Sequence, residues 1–255
     1  MPVQAAALGG PRIVRVGAAA IAVDDDQPTF WDRVEAGRWE PGTLAAMGER
    51  LGPGAVLLDL GAWTGVLSLY GAALGATVIA VEADPEAFRQ LRRNLAANSD
   101  LRGRVTAVQA AVAPEPGRIR LGVRRKPGDS MSSTLLGTRD VAWDADAVTP
   151  ADLVRRFDAP ARLLVTLDIE GGEYGLLPHL ASLLDRPDAA LLVSFHPAIL
   201  REAGREPLAE TRAALAPYRS WIARPVEPAG PGRPIILDEA GPDTERHDTW
   251  LLSRS

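Results

Sequence analysis

Residues 55–84, AVLLDLGAWTGVLSLYGAALGATVIAVEAD, constrain the fold of this 255-residue chain more than any other stretch. A short apolar run begins at Ala55 and carries an acid, Asp59, near its end. Gly61 and Gly65 follow at G-x-x-x-G spacing, then a helix-like segment, then a second apolar run closing on Glu82. A nearly continuous apolar run of this length suits a strand buried on both faces. Gly61 lets the backbone turn sharply and lets a ligand approach, because no Cβ stands in the way. Thr64 and Gly65 open a helix through about Leu74, with Gly75 as its stop. Thr77 to Val81 reads as the second strand. The order is strand, tight turn, helix, strand, acid. That is how a nucleoside cofactor is held at the edge of a parallel sheet, with the acid accepting from both ribose hydroxyls.

The spacing separates two cofactor classes. A dinucleotide fingerprint is G-x-G-x-x-G, which brings a helix N-terminus against a pyrophosphate. Position 63 is Trp63, and the pattern here is D-x-G-x-x-x-G. Such a loop suits a ligand without pyrophosphate and disfavours a nicotinamide-dependent oxidoreductase. It resembles motif I of the class I S-adenosylmethionine-dependent methyltransferases.

The rest of the chain continues in the same alternation. Residues 11–23 read as a hairpin. Residues 29–52 read as two helices around a turn at Pro41-Gly42. Pro85 starts a helix with Phe88, Leu91 and Leu95 at helical spacing. Arg104 to Val112 reads as a third strand. Residues 114–150 are rich in Pro, Gly and charge and read as a hairpin near Arg118–Val123, then a loop. Thr149, followed by Pro150, caps a short helix. Leu163–Ile169 and Ala189–Phe195 read as the fourth and fifth strands, with a helix from Glu173 between them. Residues 207–216 read as helical, and the segments around 224–233 and 249–252 as antiparallel closing strands. The expected organisation is one structural domain, with residues 1–52 an extension over the cofactor site and 53–255 the main body.

Composition narrows the class. Hydrophobic residues make up 46% of the chain, enough for the core of one large α/β domain. No apolar stretch approaches the ~18–20 residues that span a bilayer, and no signal-peptide pattern opens the sequence. The expectation is a cytoplasmic protein without a membrane partner. There is no cysteine, which excludes disulfides, thiolate metal sites and a thiol nucleophile. A net charge of −5 argues against a nucleic-acid partner. The locally basic run Arg118, Arg120, Arg124, Arg125 and Lys126 has two readings, an anion site on the acceptor or one solvated face of a hairpin; the alternation favours the second.

A second constellation, Asp168-Ile169-Glu170-Gly171-Gly172-Glu173, follows the strand LLVTL. Carboxylates at the carboxyl end of a central strand stand where open α/β sheets bind ligands. Glu173 falls in the first turn of the next helix, where negative charge is favoured.

Taken together, these motifs make the chain resemble the FkbM family of S-adenosylmethionine-dependent methyltransferases. The pieces that carry the resemblance are WEPGT (39–43), LLDLGAWTG (57–65), VIAVEADPEAF (78–88), NLAAN (94–98), the Ala110-Ala111-Val112 strand end, GDSMSS (128–133) and LDIEGGEY (167–174). They cover roughly residues 39–200. The resemblance implies a Rossmann-like class I methyltransferase fold, an α/β architecture with a seven-stranded, mostly parallel sheet and helices on both faces. It also implies methyl transfer to a hydroxyl of a small molecule such as a sugar or secondary metabolite. One departure stands out: the fifth strand ends LLVSFHP, with His196 where many members carry an acid.

These readings assign candidate roles. Glu82, with Ala83 beside it, holds the ribose. Gly61, Ala62, Trp63 and Gly65 form the loop under the methionyl and ribose groups. Asp59 supports that loop or the cofactor amino group. Gln109 and Ala111 edge the adenine. Glu40 accepts from the cofactor ammonium. Asp168 and His196 are the candidate bases, Asp168 also bordering the cofactor. Glu170, Ser130, Ser132 and Ser133 face the hydroxylated acceptor. A divalent metal on Asp168, Glu170 and His196 is an alternative, and it is not favoured. The rival functions are N-methylation of a small amine and a catalytically silent cofactor-binding subunit. Oligomeric state is not legible.

Overall fold

A computed structural model of the protein describes residues 11–124, 126–128, 131–155, 162–230, 232–235 and 247–254. The chain opens with a hairpin of β1 (Arg12–Val16) and β2 (Ala19–Val23), then α1 (Pro28–Glu35) and α2 (Pro41–Arg50). Pro41 and Gly42 are the first residues of α2 rather than a turn before it, because proline suits a first helical turn, where no amide hydrogen is needed. There follow β3 (Ala55–Leu60), α3 (Val66–Ala73), β4 (Thr77–Glu82), α4 (Pro85–Ala97), β5 (Val105–Gln109), β6 (Ala111–Val112), β7 (Gly117–Val123), β8 (Ser132–Ser133) and β9 (Ala142–Val148). The remainder is α5 (Pro150–Val154), β10 (Arg162–Leu167), α6 (Glu173–Leu180), β11 (Ala189–Phe195), α7 (Pro197–Glu202), α8 (Pro207–Leu215), β12 (Ile222–Glu227), β13 (Arg233–Pro234) and β14 (Asp248–Ser253).

The main sheet has the order β13-β12-β14-β11-β10-β3-β4-β5. Strands β5, β4, β3, β10 and β11 are parallel, and β14 runs antiparallel between β11 and β12. The expected seven strands are therefore present, with the two-residue β13 added at one edge. The strand order reverses between β3 and β10. At such a switch point the loops leaving the two strands diverge and open a crevice at their carboxyl ends.

Alternation along β3 explains how the sheet is buried on both sides. Val56, Leu58 and Leu60 enter one core with Leu153 of α5, Leu176, Leu177 and Leu180 of α6, and Leu200 of α7. Ala55 and Leu57 enter the other with the β1–β2 hairpin, Met47 of α2, Leu69 of α3 and Leu91 of α4. Asp59 shares the second face. Its register partner on β10 is Thr166, which donates a 2.7 Å hydrogen bond to its carboxylate, and Ser68 of α3 donates another. A buried acid is thereby satisfied by a neighbouring strand and the overlying helix.

The NLAAN segment has an equally physical role. Asn94 and Asn98 lie four residues apart on one face of α4. The Asn98 side chain accepts from the amide of Ala22 at 2.9 Å and donates to its carbonyl at 2.7 Å. Asn94 accepts from the amide of Asp24 and donates to the carbonyl of Thr64, each at 2.8 Å. The pair stitches the hairpin and the glycine loop to α4.

Two expectations need correction. Arg104–Val112 is not one strand: β5 stays in the main sheet, and β6 leaves it to pair with β9. Residues 114–150 hold more structure than a hairpin and a loop, since β6, β9, β7 and β8 form a separate four-stranded sheet. Within it Arg118 faces Asp146 and Arg120 faces Asp144 in register, with nitrogen–oxygen distances of 3.6 and 3.5 Å. Arg124 pairs with Glu202 of α7. These arginines are matched to acids on a solvated face, and Arg125 lies outside the described residues. No helix among the described residues is long and apolar enough to cross a membrane.

Candidate functional site

A cavity of about 280 Å³ opens at the carboxyl ends of β3, β4 and β10, under the small sheet. Its floor is the turn after β3. Gly61 has φ 91°, and a Cβ there would overlap the carbonyl oxygen of Asp168, so no other residue fits without moving β10's exit. Gly61 and Ala62 donate their amides to the carbonyl of Val81, pinning the turn to β4. Gly65 also has positive φ and lies beneath the cavity, where a side chain would strike Leu91. It supports the loop without lining the space.

Trp63 takes the left-handed conformation with φ 47°. Its amide donates to one carboxylate oxygen of Glu82 at 2.8 Å. Its indole N–H donates to the carbonyl of Gly128 at 3.0 Å, and its ring meets Phe30 edge-on at 4.5 Å. The other Glu82 oxygen accepts from the amide of Asp84 at 2.7 Å. Each oxygen thus holds one backbone donor and retains capacity for another. Burial pushes Glu82 up to about 7, against the lowering effect of those two amides.

Asp84 was not anticipated. One of its oxygens caps α4 by accepting from the amides of Glu86 and Ala87. The other accepts from the amide of Gly128 at 2.8 Å and the hydroxyl of Ser132 at 2.9 Å. It ties Gly128 and Ser132 to the Glu82 end of the cavity. The adjoining wall is small and apolar: Ala83, Ala110 to Pro114, and Ile119 and Leu121 of β7. That shape suits a flat heterocycle.

The opposite end is acidic. Glu40, Asp168 and Glu170 line it. Burial and the charge of Asp168 push Glu40 up to about 8, burial raises Asp168, and burial pushes Glu170 up to about 7. His196 stands directly behind, its Nε2 3.5 Å from Asp168 and 3.6 Å from Glu170. Its Nδ1 makes a 2.7 Å hydrogen bond with Glu173, whose fully buried carboxylate also accepts from the amides of Ile169 and Gly171. Burial pulls the His196 imidazole down, but the charges of Glu173, Asp168 and Glu170 outweigh it and push it up to about 10. His247 stacks on the His196 ring at 4.6 Å. Among the described residues, the non-glycine residues with positive φ are Glu40, Trp63 and Glu170, and all three line this cavity. Backbone strain gathered at one concavity is a mark of a functional site.

Of the residues singled out in the sequence, the cavity brings together Glu40, Asp59, Gly61, Ala62, Trp63, Glu82, Ala83, Ala111, Ser132, Asp168 and Glu170. Gln109 is exposed at the end of β5 and does not line it, because the chain turns away there and Ala110 to Pro114 take the place assigned to it. Ser133 is fully buried, and its hydroxyl accepts from the amide of Leu135 instead of facing the cavity. His196 lies one layer behind the wall. Ser130 falls outside the described residues.

No family model matches the sequence, and no curated protein matches it. Solved structures match at low identity. A precorrin-6y C5,15-methyltransferase from Geobacter metallireducens is 12% identical, with 83% of this chain and 87% of that one covered and a TM-score of 0.45. A methyltransferase FkbM from Methylobacillus flagellatus is 16% identical over 90% of this chain and 60% of that one, TM-score 0.47. TYW2 of P. horikoshii, solved in complex with MeSAdo, is 16% identical over 95% and 70%, TM-score 0.43.

Proposed function

We propose that this chain is an S-adenosylmethionine-dependent methyltransferase that acts on a hydroxyl of a small polar molecule. The observation that carries the reading is Glu82. It closes β4 at the switch-point cavity, faces the Gly61–Trp63 turn, and keeps acceptor capacity on both oxygens for a ribose diol. The turn supports a nucleoside without pyrophosphate, since Trp63 fills the place where a dinucleotide loop needs glycine. The apolar wall of Ala83 and Ala110 to Pro114 would take adenine. Glu40 and Asp168 at the far end would take the ammonium and surround the methyl-transfer point.

Bound there, S-adenosylmethionine would supply a methyl electrophile to the acceptor oxygen, with its sulfur as the leaving group. The acidic cluster, in which Asp168 is the carboxylate at the wall, would take the hydroxyl proton. Holding the acceptor in line is the protein's main contribution. The acid cluster supports an oxygen nucleophile over a neutral amine, which needs no base.

Calorimetry with S-adenosylmethionine, using wild type and Glu82→Ala with NAD as control ligand, tests the cofactor. The expected result is saturable binding by wild type, loss in the variant, and no NAD binding. A folded wild type that binds NAD and not S-adenosylmethionine would sink the reading. A panel of polyols and amines as acceptors then separates O- from N-methylation, and cofactor binding without turnover on any of them would favour the silent subunit.

A further inference from the structure

The acidic end of the cavity gathers more carboxyl groups than methyl transfer alone requires. Asp168, Glu170 and Glu173 converge on one imidazole, with Glu40 adjacent. Among the described residues no arginine or lysine forms an ion pair with any of the four. Glu170 is the telling residue. It is only 9% exposed, lines the cavity, and receives no hydrogen bond among the described residues; its nearest cationic partner is His196 Nε2, at 3.6 Å. A mostly buried carboxylate at a cavity wall, with no hydrogen-bond donor on it among the described residues, has free acceptor positions for a ligand that supplies positive charge.

The imidazole selects the kind of ligand. Glu173 holds Nδ1, so Nε2 is the nitrogen presented to Asp168 and Glu170. A buried carboxylate on the far nitrogen is the support that metal-bound histidines usually have, because it fixes ring orientation and raises ligand basicity. Ligand atoms of Asp168, Glu173 and His196 already lie within 4.8 Å of one another, and Glu170 flanks that group from the cavity wall without belonging to it. An organic cation would be served by carboxylates alone, whereas an imidazole nitrogen that gives up its proton on metal binding, beside two carboxylates, suits a divalent first-row metal ion.

We infer that Asp168, Glu170 and His196 Nε2 form a divalent cation site at the acceptor end of the cavity, backed by Glu173. The site shares Asp168 with the proposed methyl-transfer point, whereas the cofactor assignment rests on Glu82 and the Gly61 turn. A cation there would neutralise the acid cluster and lower the pKa of a coordinated acceptor hydroxyl.

The test is titration of the full chain with Mn2+, followed by electron paramagnetic resonance, without cofactor or acceptor. One ion should bind per chain and show nitrogen hyperfine coupling from the imidazole. Affinity should fall about tenfold or more in both Asp168→Asn and Glu170→Gln, and stay unchanged in Asp144→Asn, an exposed acid on the small sheet. Nitrogen coupling should vanish in His196→Gln. Circular dichroism confirms that each variant is folded. Absence of saturable binding at millimolar Mn2+, equal binding by all variants, or bound Mn2+ without nitrogen coupling would each overturn the site. S-adenosylmethionine calorimetry on the same samples keeps the two readings separate: cofactor binding without Mn2+ binding ends this inference and leaves the methyltransferase proposal standing.

Discussion

Glu82 offers a prediction that needs no acceptor. The residue is 9% exposed, and burial lifts its carboxyl from an ordinary 4.5 to about 7. A carboxyl that ionises later in the folded than in the unfolded chain makes the native state bind more protons between those two pH values. Its contribution to stability is therefore fully present below about pH 4.5 and is lost as pH rises through about 7. The interval is worth about 3 kcal/mol. Glu82→Gln removes the titration and keeps the shape. It replaces one of the two oxygens that accept from the amides of Trp63 and Asp84 with an amide nitrogen, a roughly constant cost of about 1–2 kcal/mol. The variant should accordingly be the less stable protein near pH 4.5 and the more stable one at pH 8. The difference between the two proteins should swing by about 3 kcal/mol, or about 6–12 °C in Tm for a domain of this size. Urea melts of both proteins at several pH values, without ligand, read this directly. Parallel stability curves would refute the reasoning, because they would mean that Glu82 ionises as a solvated acid does.

Two further perturbations probe the frame of the cavity. Gly61→Ala places a Cβ against the carbonyl oxygen of Asp168 at a φ of 91°; it should cost about 3–5 kcal/mol and abolish S-adenosylmethionine binding, and a calorimetric titration indistinguishable from wild type would contradict the close approach. Asp84→Ala removes the cap of α4 and frees Gly128 and Ser132 together. It should cost about 1 kcal/mol or more and speed hydrogen exchange at the Gly128 amide about tenfold, whereas unchanged exchange there would show that the clamp does not hold the segment.

What the sequence reveals about this molecule follows from the range of the forces involved. The β3–α3–β4 unit is legible because it is local: apolar runs, a glycine with nowhere to put a Cβ, and an acid at the strand end all lie within thirty residues. β9 is harder. AWDADAV alternates as a strand should, but its acids answer Arg118 and Arg120 across the small sheet, and composition alone made the region look like a loop. Half of Asp84 was readable, since Asp before Pro announces a helix cap. The other half, its grip on Gly128, spans 44 positions and leaves no local mark. His247 is silent for the same reason, as nothing near it in sequence signals that β14 brings it onto His196. Glu173 was read as an acid at a helix start, and its bond to His196 could not be seen from either residue alone.

The placement of β14 bears on how the molecule is made. Strand β14 lies inside the sheet, between β11 and β12, yet follows both in the chain. During synthesis β11 and β12 emerge first, each with one edge whose only native partner does not yet exist. They must stay apart without pairing to each other until residues 248–253 arrive to fill the gap. Completion of the sheet is thus a late, non-local event. A lesion in these few residues would open a slot in the middle of the sheet rather than fray its rim.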